Sequence, residues 1–262
     1  MKKTKVIIPA LGILLLSTAA SVTGTVAWFA ANSTVTANNM NIKATVDSNF
    51  LAISKTSSLN AHLSTVNLAA PTGEVLPTNW VDHSGYKWVT AVGTSEISAQ
   101  KVGDYTDLTG ISEADNFGTV GTGDAAKHYF VYDSVFVGLL NDSTSAEDYN
   151  LICTVTFTPS VASELNKCLT VGLDVGADKG TTSDFDVRYE LNSAEAQATP
   201  KASATVLIAG EDLYQEDTNG NAIGTEIKIY AFFNGDHTAC TSYNAINLAG
   251  IDIDLQFDLV EA

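Results

Sequence analysis

The sequence has few basic residues. Its 262 residues include 13 Lys and Arg against 30 Asp and Glu, which gives a formal net charge of −17. A field of this sign repels phosphate-rich surfaces, so nucleic acid and anionic lipid are excluded as expected partners. The excess of acid is typical of a soluble protein surface, and it also attracts divalent cations.

Cysteine is scarce as well. The three cysteines, Cys153, Cys168 and Cys240, cannot all pair within one chain. In an oxidising compartment, a disulfide between Cys153 and Cys168 closes the shortest loop. The alternative is that Cys153, which lies in phase with Leu151 and Val155, is a small buried apolar residue. The pattern leaves both interpretations open.

Known catalytic motifs are missing. The sequence contains no His-Glu-x-x-His helix, no Gly-x-Ser-x-Gly elbow, no phosphate loop and no dinucleotide fingerprint. Asp236, His237 and Cys240 lie close together, as in a nucleophile or metal site, but a surface turn has the same composition. Catalytic partners normally come from distant positions. We therefore expect no enzymatic activity and no obligatory cofactor.

The chain begins with a segment of secretory type. Three lysines within the first five residues precede an uncharged run from Val6 to Ala31, which is long enough to span a bilayer. From position 17 the run thins into small residues, which favours a signal peptide, residues 1–27, cleaved between Ala27 and Trp28. Cleavage takes the net charge from −17 to −20, and only the uncleaved signal contacts the membrane. The chain stops at Ala262 without a hydrophobic or basic tail, so we expect no C-terminal anchor.

Alternation of apolar and polar residues is the main structural signal. It marks six segments, at 40–46, 151–157, 169–175, 185–191, 227–233 and 251–259. One apolar face per strand indicates antiparallel sheets packed face to face. We therefore predict an all-β fold, an antiparallel β-sandwich of jelly-roll type with few short helices.

The middle of the chain is rich in glycine. From about 71 to 127 it predicts a long irregular insertion within a single domain, residues 47–262. The insertion carries Trp80, Tyr86, Trp88 and Tyr105. These aromatic residues suit an alternative function, that of a monomeric cell-surface adhesin or carbohydrate-binding β-sandwich.

The residues around the cleavage site carry a resemblance. Gly24 to Phe29, GTVAWF, is followed by a β-prone segment and resembles the signal and mature start of the TasA/camelysin family. Members of this family leave Gram-positive bacteria through a dedicated signal peptidase and form extracellular biofilm fibres by donor-strand exchange. The resemblance implies a β-sandwich at the cell surface or in the biofilm matrix, assembled as a head-to-tail homopolymer. The signal peptidase is an expected partner during export, and accessory matrix proteins are further candidates.

The segment after the cleavage site suits strand exchange. Ala30 to Val46 is short of charge and β-prone, and cleavage frees its terminus. As a donor strand it adds to an open sheet edge of the next copy, and this contact does not close, so it yields a filament. The alternative is an ordinary first strand of its own sandwich. The predicted donor residues are Ala30, Val35, Ala37, Met40, Ile42 and Ala44.

One loop has oxygen ligands at alternating positions. Asp217, Asn219 and Asn221 begin like a calcium loop and predict a weak calcium site. Ala222 stands where an EF-hand needs glycine, and Lys228 stands where it needs an acid. A β-turn in this loop is the alternative.

Overall fold

The structure is a computed structural model that describes residues 40–46, 51–59, 65–68, 75–82, 86–91, 105–107, 110–113, 116–140, 149–159, 164–176, 185–191, 199–200, 206–235, 237 and 251–262. No helix among these residues reaches seven residues. Short 3-10 helices cover Gly123–Ala125, Glu164–Cys168 and Gly210–Asp212. The strands are β1 (Met40–Val46), β2 (Leu51–Ser54), β3 (Thr65–Asn67), β4 (Asn79–Asp82), β5 (Tyr86–Ala91), β6 (Tyr105–Asp107), β7 (Phe117–Val120), β8 (Lys127–Leu139), β9 (Tyr149–Pro159), β10 (Leu169–Val175), β11 (Val187–Glu190), β12 (Thr199–Pro200), β13 (Val206–Ile208), β14 (Gln215–Glu216), β15 (Ala222–Ile223), β16 (Thr225–Phe233) and β17 (Ile251–Glu261).

Two sheets pack against each other, which confirms the predicted all-β sandwich. The first has the order β13-β9-β17-β1-β3, and the second has the order β12-β11-β10-β16-β8-β2 with β7 also paired to β8. From Leu151 to Phe157 in β9 and from Ile251 to Phe257 in β17, every second residue is apolar and buried, as the alternation predicts. One hydrophobic cluster draws on both sheets, so the core lies between them.

One strand pair departs from the antiparallel prediction. β1 runs parallel to β17, with Met40 opposite Ile251 and Val46 opposite Phe257. Alternation predicts which face of a strand is buried, but it says nothing about the direction of the neighbouring strand. The first sheet is therefore mixed.

The second sheet is buried on both faces. A second cluster lies on its outer side and consists of Tyr129, Phe130, Phe185, Tyr230 and Phe232. Leu76, Ile111 and Val120, which belong to the predicted insertion, pack against it. The described parts of the insertion are thus less irregular than predicted, because they supply strands β4 to β7 and a cover for this outer face.

The outer cover explains two glycines in the second sheet. A side chain at Gly118 would collide with the ring of Phe130, and one at Gly172 would collide with the ring of Phe185. Only glycine leaves room for an aromatic ring to lie flat on the strand at these points.

The edge beside β8 is formed by two strands in line. β2 pairs with the segment 136–139 and β7 with the segment 127–131. Between them, Lys55 Nζ donates to Ser134 O at 3.1 Å and Asn116 Nδ2 donates to Tyr132 O at 3.1 Å. These side chains bond carbonyls that neither strand pairs with, so β2 and β7 act as the halves of one interrupted edge strand.

Candidate functional site

β1 occupies a space between β17 and β3, which we call the β1 slot. It pairs with β17 along all seven of its residues, and with β3 only at Lys43, Ala44 and Thr45. Ile42 is 1% exposed and Ala44 is 0% exposed, so both side chains lie in the core. The slot therefore holds β1 by a full backbone ladder on one side and by two inserted apolar side chains.

Two further hydrogen bonds seat the strand. Leu68 N donates to Ile42 O at 2.8 Å, and Thr45 Oγ1 donates to Leu255 O at 3.5 Å. The first bond lies one residue beyond the end of β3 and extends its short contact with β1. The strand is consequently bonded on both edges at its centre.

Within one chain, β1 takes the position of the alternative interpretation, an ordinary first strand of its own sandwich, and exchange between copies stays a prediction. Met40, Ile42 and Ala44 were predicted to leave their own body, but here they lie in a strand of their own sandwich. The physical reason is that the apolar face of β1 matches the apolar face of β17 in this register. The predicted residues outside the described part of the chain are Ala27, Trp28, Ala30, Val35 and Ala37.

The structure favours one of the two interpretations of the cysteines. No disulfide joins Cys153 to Cys168; both residues are thiols and both are buried. Cys153 lies in β9 of the first sheet, whereas Cys168 ends the 3-10 helix before β10 of the second sheet. Burial raises the pKa of the Cys153 thiol far above its ordinary value. Its role as a small buried residue is the alternative that the structure favours.

A tyrosine joins the two sheets beside Cys153. Tyr189 lies in β11 of the second sheet and is 2% exposed. Its hydroxyl donates to the Cys153 carbonyl of β9 at 2.6 Å. Burial raises the pKa of this phenol well above its ordinary range. The sequence showed that both residues are in strands, but it did not show that they meet.

The predicted calcium loop is a hydrogen-bonded turn between β14 and β15. Asp217 Oδ1 accepts from Asn219 N at 2.8 Å and from Asn221 N at 2.9 Å. The side-chain amide of Asn221 donates to Oδ2 at 3.0 Å, and Gly220 has φ of +78°. The Asn221 side chain, followed by the backbone amides, holds the pKa of Asp217 below its ordinary value. These bonds support the turn alternative, and the weak calcium site stays a prediction.

The loop after β16 brings a histidine to a cysteine. His237 Nδ1 lies 3.7 Å from Cys168 Sγ, while Asp236 and Cys240 are outside the described residues. Within the described part of the chain, no group of three or more His, Cys, Asp or Glu residues is arranged to hold a metal ion. The sequence paired His237 with its neighbours in the chain, and Cys168 was missed because it is 69 residues away.

The aromatic insertion forms a small sheet of its own. β4, β5 and β6 pair in that order, and Trp80 is directly opposite Trp88. Tyr86 is opposite Asp82, and Tyr105 is opposite Ala91. The backbone thus places the two tryptophan positions together, as the alternative function requires.

Comparisons with protein-family models, with curated proteins and with solved structures found no match to this chain. Among the residues that the structure describes, no helix is long and apolar enough to cross a membrane.

Proposed function

We propose that the protein is a secreted structural subunit that assembles into extracellular fibres by exchanging its N-terminal strand between copies. The observation that carries the proposal is the β1 slot, in which a strand near the chain terminus is held by the strand nearest the other terminus. The GTVAWF resemblance at the cleavage site gives independent support.

The slot can accept the same strand from another copy. A second β1 presents the same backbone groups to β17 and the same two apolar side chains, Ile42 and Ala44, to the core. Exchange therefore preserves the contacts of the closed chain, as in domain swapping. Only residues 47–50 connect β1 to β2, and this connection must open for β1 to reach a neighbour. Each copy then both donates and accepts, so the contact propagates.

The first test is negative-stain electron microscopy of the mature chain from Trp28, refolded by dilution from denaturant. We expect regular thin fibres. Uniform compact particles under all assembly conditions would overturn the proposal.

A disulfide pair tests whether β1 is the exchanged strand. Thr45 lies opposite Gln256, a spacing that a disulfide between neighbouring strands spans. In T45C/Q256C, oxidation before assembly locks β1 in its own slot, so we expect no fibres until a reductant is added. Oxidation after assembly should instead link copies into a covalent ladder on a denaturing gel. Intrachain bonds alone in oxidised fibres would contradict exchange of β1.

Glycan binding is a second candidate function, favoured by the register that sets Trp80 opposite Trp88. It predicts saturable binding on a glycan array that is lost in W80A/W88A. Fibre formation should persist in that variant, because β4 and β5 lie outside the sandwich sheets.

A further inference from the structure

The outer side of the β1 slot carries charges of opposite sign. Lys43 is the one charged residue of β1, and it lies opposite Asp254 of β17 in the parallel register. Its exposed side chain stands on the outer face, since Ile42 and Ala44 on either side are buried. On β17, Asp252 lies two residues before Asp254 and therefore points to the same face.

These charges matter because copies of this chain repel one another. The predicted mature chain has a net charge of −20, so the approach of two copies is electrostatically unfavourable. An incoming β1 brings one positive charge to a strand edge that carries carboxylates at alternate positions. Opposite charges that face each other across neighbouring strands stabilise a register, whereas like charges destabilise it.

The apolar side chains of β1 also restrict its register on β17. A shift by one residue would turn Lys43 into the core and Ile42 out of it. A shift by two residues towards the start of β17 would place Lys43 opposite Asp252 but would leave Met40 and Asn41 without partners in the strand. The opposite shift would keep all seven backbone pairs but would place Lys43 opposite Gln256, which carries no charge. Among these registers, only the observed one keeps every pair and sets Lys43 opposite a carboxylate.

We propose that the Lys43 and Asp254 pairing is the recognition determinant by which the slot of one copy selects the strand of another. This inference rests on the proposed strand exchange. The partner is a second copy of this chain. Recognition depends on the positions of the lysine on the outer face of β1 and of the aspartates on the outer face of β17.

The chain contains a matched control. Lys228 of β16 lies opposite Asp174 of β10 in the antiparallel second sheet. This is the same pair of residue types in two strands that lie inside that sheet and away from the chain ends. A reversed charge at Lys228 or Asp174 can be compensated only by a second substitution in the same chain.

Charge reversal in separate molecules tests the inference. We expect K43D alone and D254K alone each to raise the protein concentration needed for fibres about fivefold, because a favourable cross-strand pair becomes a repulsive one. An equimolar mixture of the two variants should recover the wild-type concentration, since each strand then meets a slot of opposite charge. A mixture of K228D and D174K should not recover.

Each other outcome overturns the inference in a distinguishable way. If K43D/D254K in one chain recovers but the mixture does not, β1 stays in its own slot, although fibre formation stands. If neither single variant changes the protein concentration needed for fibres, the pairing of Lys43 with Asp254 does not determine recognition between copies. If the wild type forms no fibres, the proposed function fails and the inference fails with it. If thermal melts show that a reversed variant is unfolded, K43Q and D254N replace the reversed pair. Their mixture should then recover only in part, because only the strand of D254N in the slot of K43Q restores the pairing of lysine with aspartate.

Discussion

Tyr189 is the clearest single-residue link between the two sheets. Its hydroxyl satisfies the Cys153 carbonyl on β9, and both groups are shielded from water. A buried carbonyl that loses its donor retains the cost of desolvation.

We predict that Tyr189→Phe lowers the free energy of unfolding by about 1–3 kcal/mol, because it leaves the Cys153 carbonyl without this donor. The measurement is urea denaturation followed by circular dichroism. Tyr149→Phe is the control, since Tyr149 is 36% exposed and should change stability little. Equal losses in the two variants would show that the hydroxyl bond has no special role.

The buried thiol predicts a loss of stability in alkali. Burial raises the pKa of Cys153 in the folded chain, so above about pH 9 the unfolded chain releases a proton that the folded chain keeps. The unfolded state then binds fewer protons, and the free energy of unfolding falls by up to about 1.4 kcal/mol per pH unit for this group. The raised pKa values of Tyr189 and Tyr230 add to the loss above pH 10.

Urea midpoints at pH 7.5 and pH 9.5 measure this effect. We expect Cys153→Ala to lose less stability between the two values than the wild type, because one ionising group has been removed. The same loss in both proteins would mean that Cys153 does not titrate on unfolding.

At the scale of the element, the pairing of β1 with β17 is the contact that matters most for stability. A chain that begins at residue 47 lacks β1 and leaves β17 paired with β9 on one side only. We predict that a synthetic peptide of residues 38–48 refills the slot and raises stability, by about 2.7 kcal/mol at 100 times its Kd. Thermal melts of the chain refolded with and without peptide measure the change. A peptide with Ile42→Asp should have no effect, and equal stabilisation by both would exclude specific seating.

The sequence predicted which segments form strands better than it predicted which strands pair with each other. β9 and β17 alternate regularly, so both were found from their pattern. β8 was missed, because Asp133 is buried in phase with Val131 and Val135 and interrupts the apolar series. Lys55 explains this burial by pairing with the Asp133 carboxylate from the end of β2. A partner so distant in the chain leaves no local signal.

The candidate site shows the same limit. The sequence identified Ile42 and Ala44 as residues that are buried in a sheet, and they are. It did not identify β17 as the neighbour, because a parallel pairing between the two ends of a chain depends on the path of everything between them. Local alternation therefore predicts burial but not the slot.

For the whole molecule, net charge opposes assembly. The predicted mature chain, with a charge of −20, would repel its copies over the Debye length, which falls from about 30 Å at 0.01 M salt to about 8 Å at 0.15 M. We predict that sodium chloride over this range speeds fibre growth of the mature chain, as measured by light scattering. Growth that slows with salt would contradict the dominance of repulsion.

Calcium chloride at equal ionic strength provides the control for a specific ion. If the turn alternative holds, Asp217 stays engaged in bonds within its own turn and calcium acts through ionic strength alone. An additional calcium effect that D217N removes would establish the calcium site instead.

The interrupted edge strand formed by β2 and β7 also makes the subunit modular. Lys55 and Asn116 close the break where the chain leaves this edge and returns to it, and β4, β5 and β6 lie on the excursion. β3 lies on the same excursion and pairs with β1, whereas β4, β5 and β6 form a sheet of their own, so sequence change in β4 to β6 leaves the register of β1 on β17 unaltered. A fibre of such subunits would carry one copy of this small sheet per repeat, so an epitope inserted within β4 to β6 should decorate the filament at regular intervals and leave its growth unchanged.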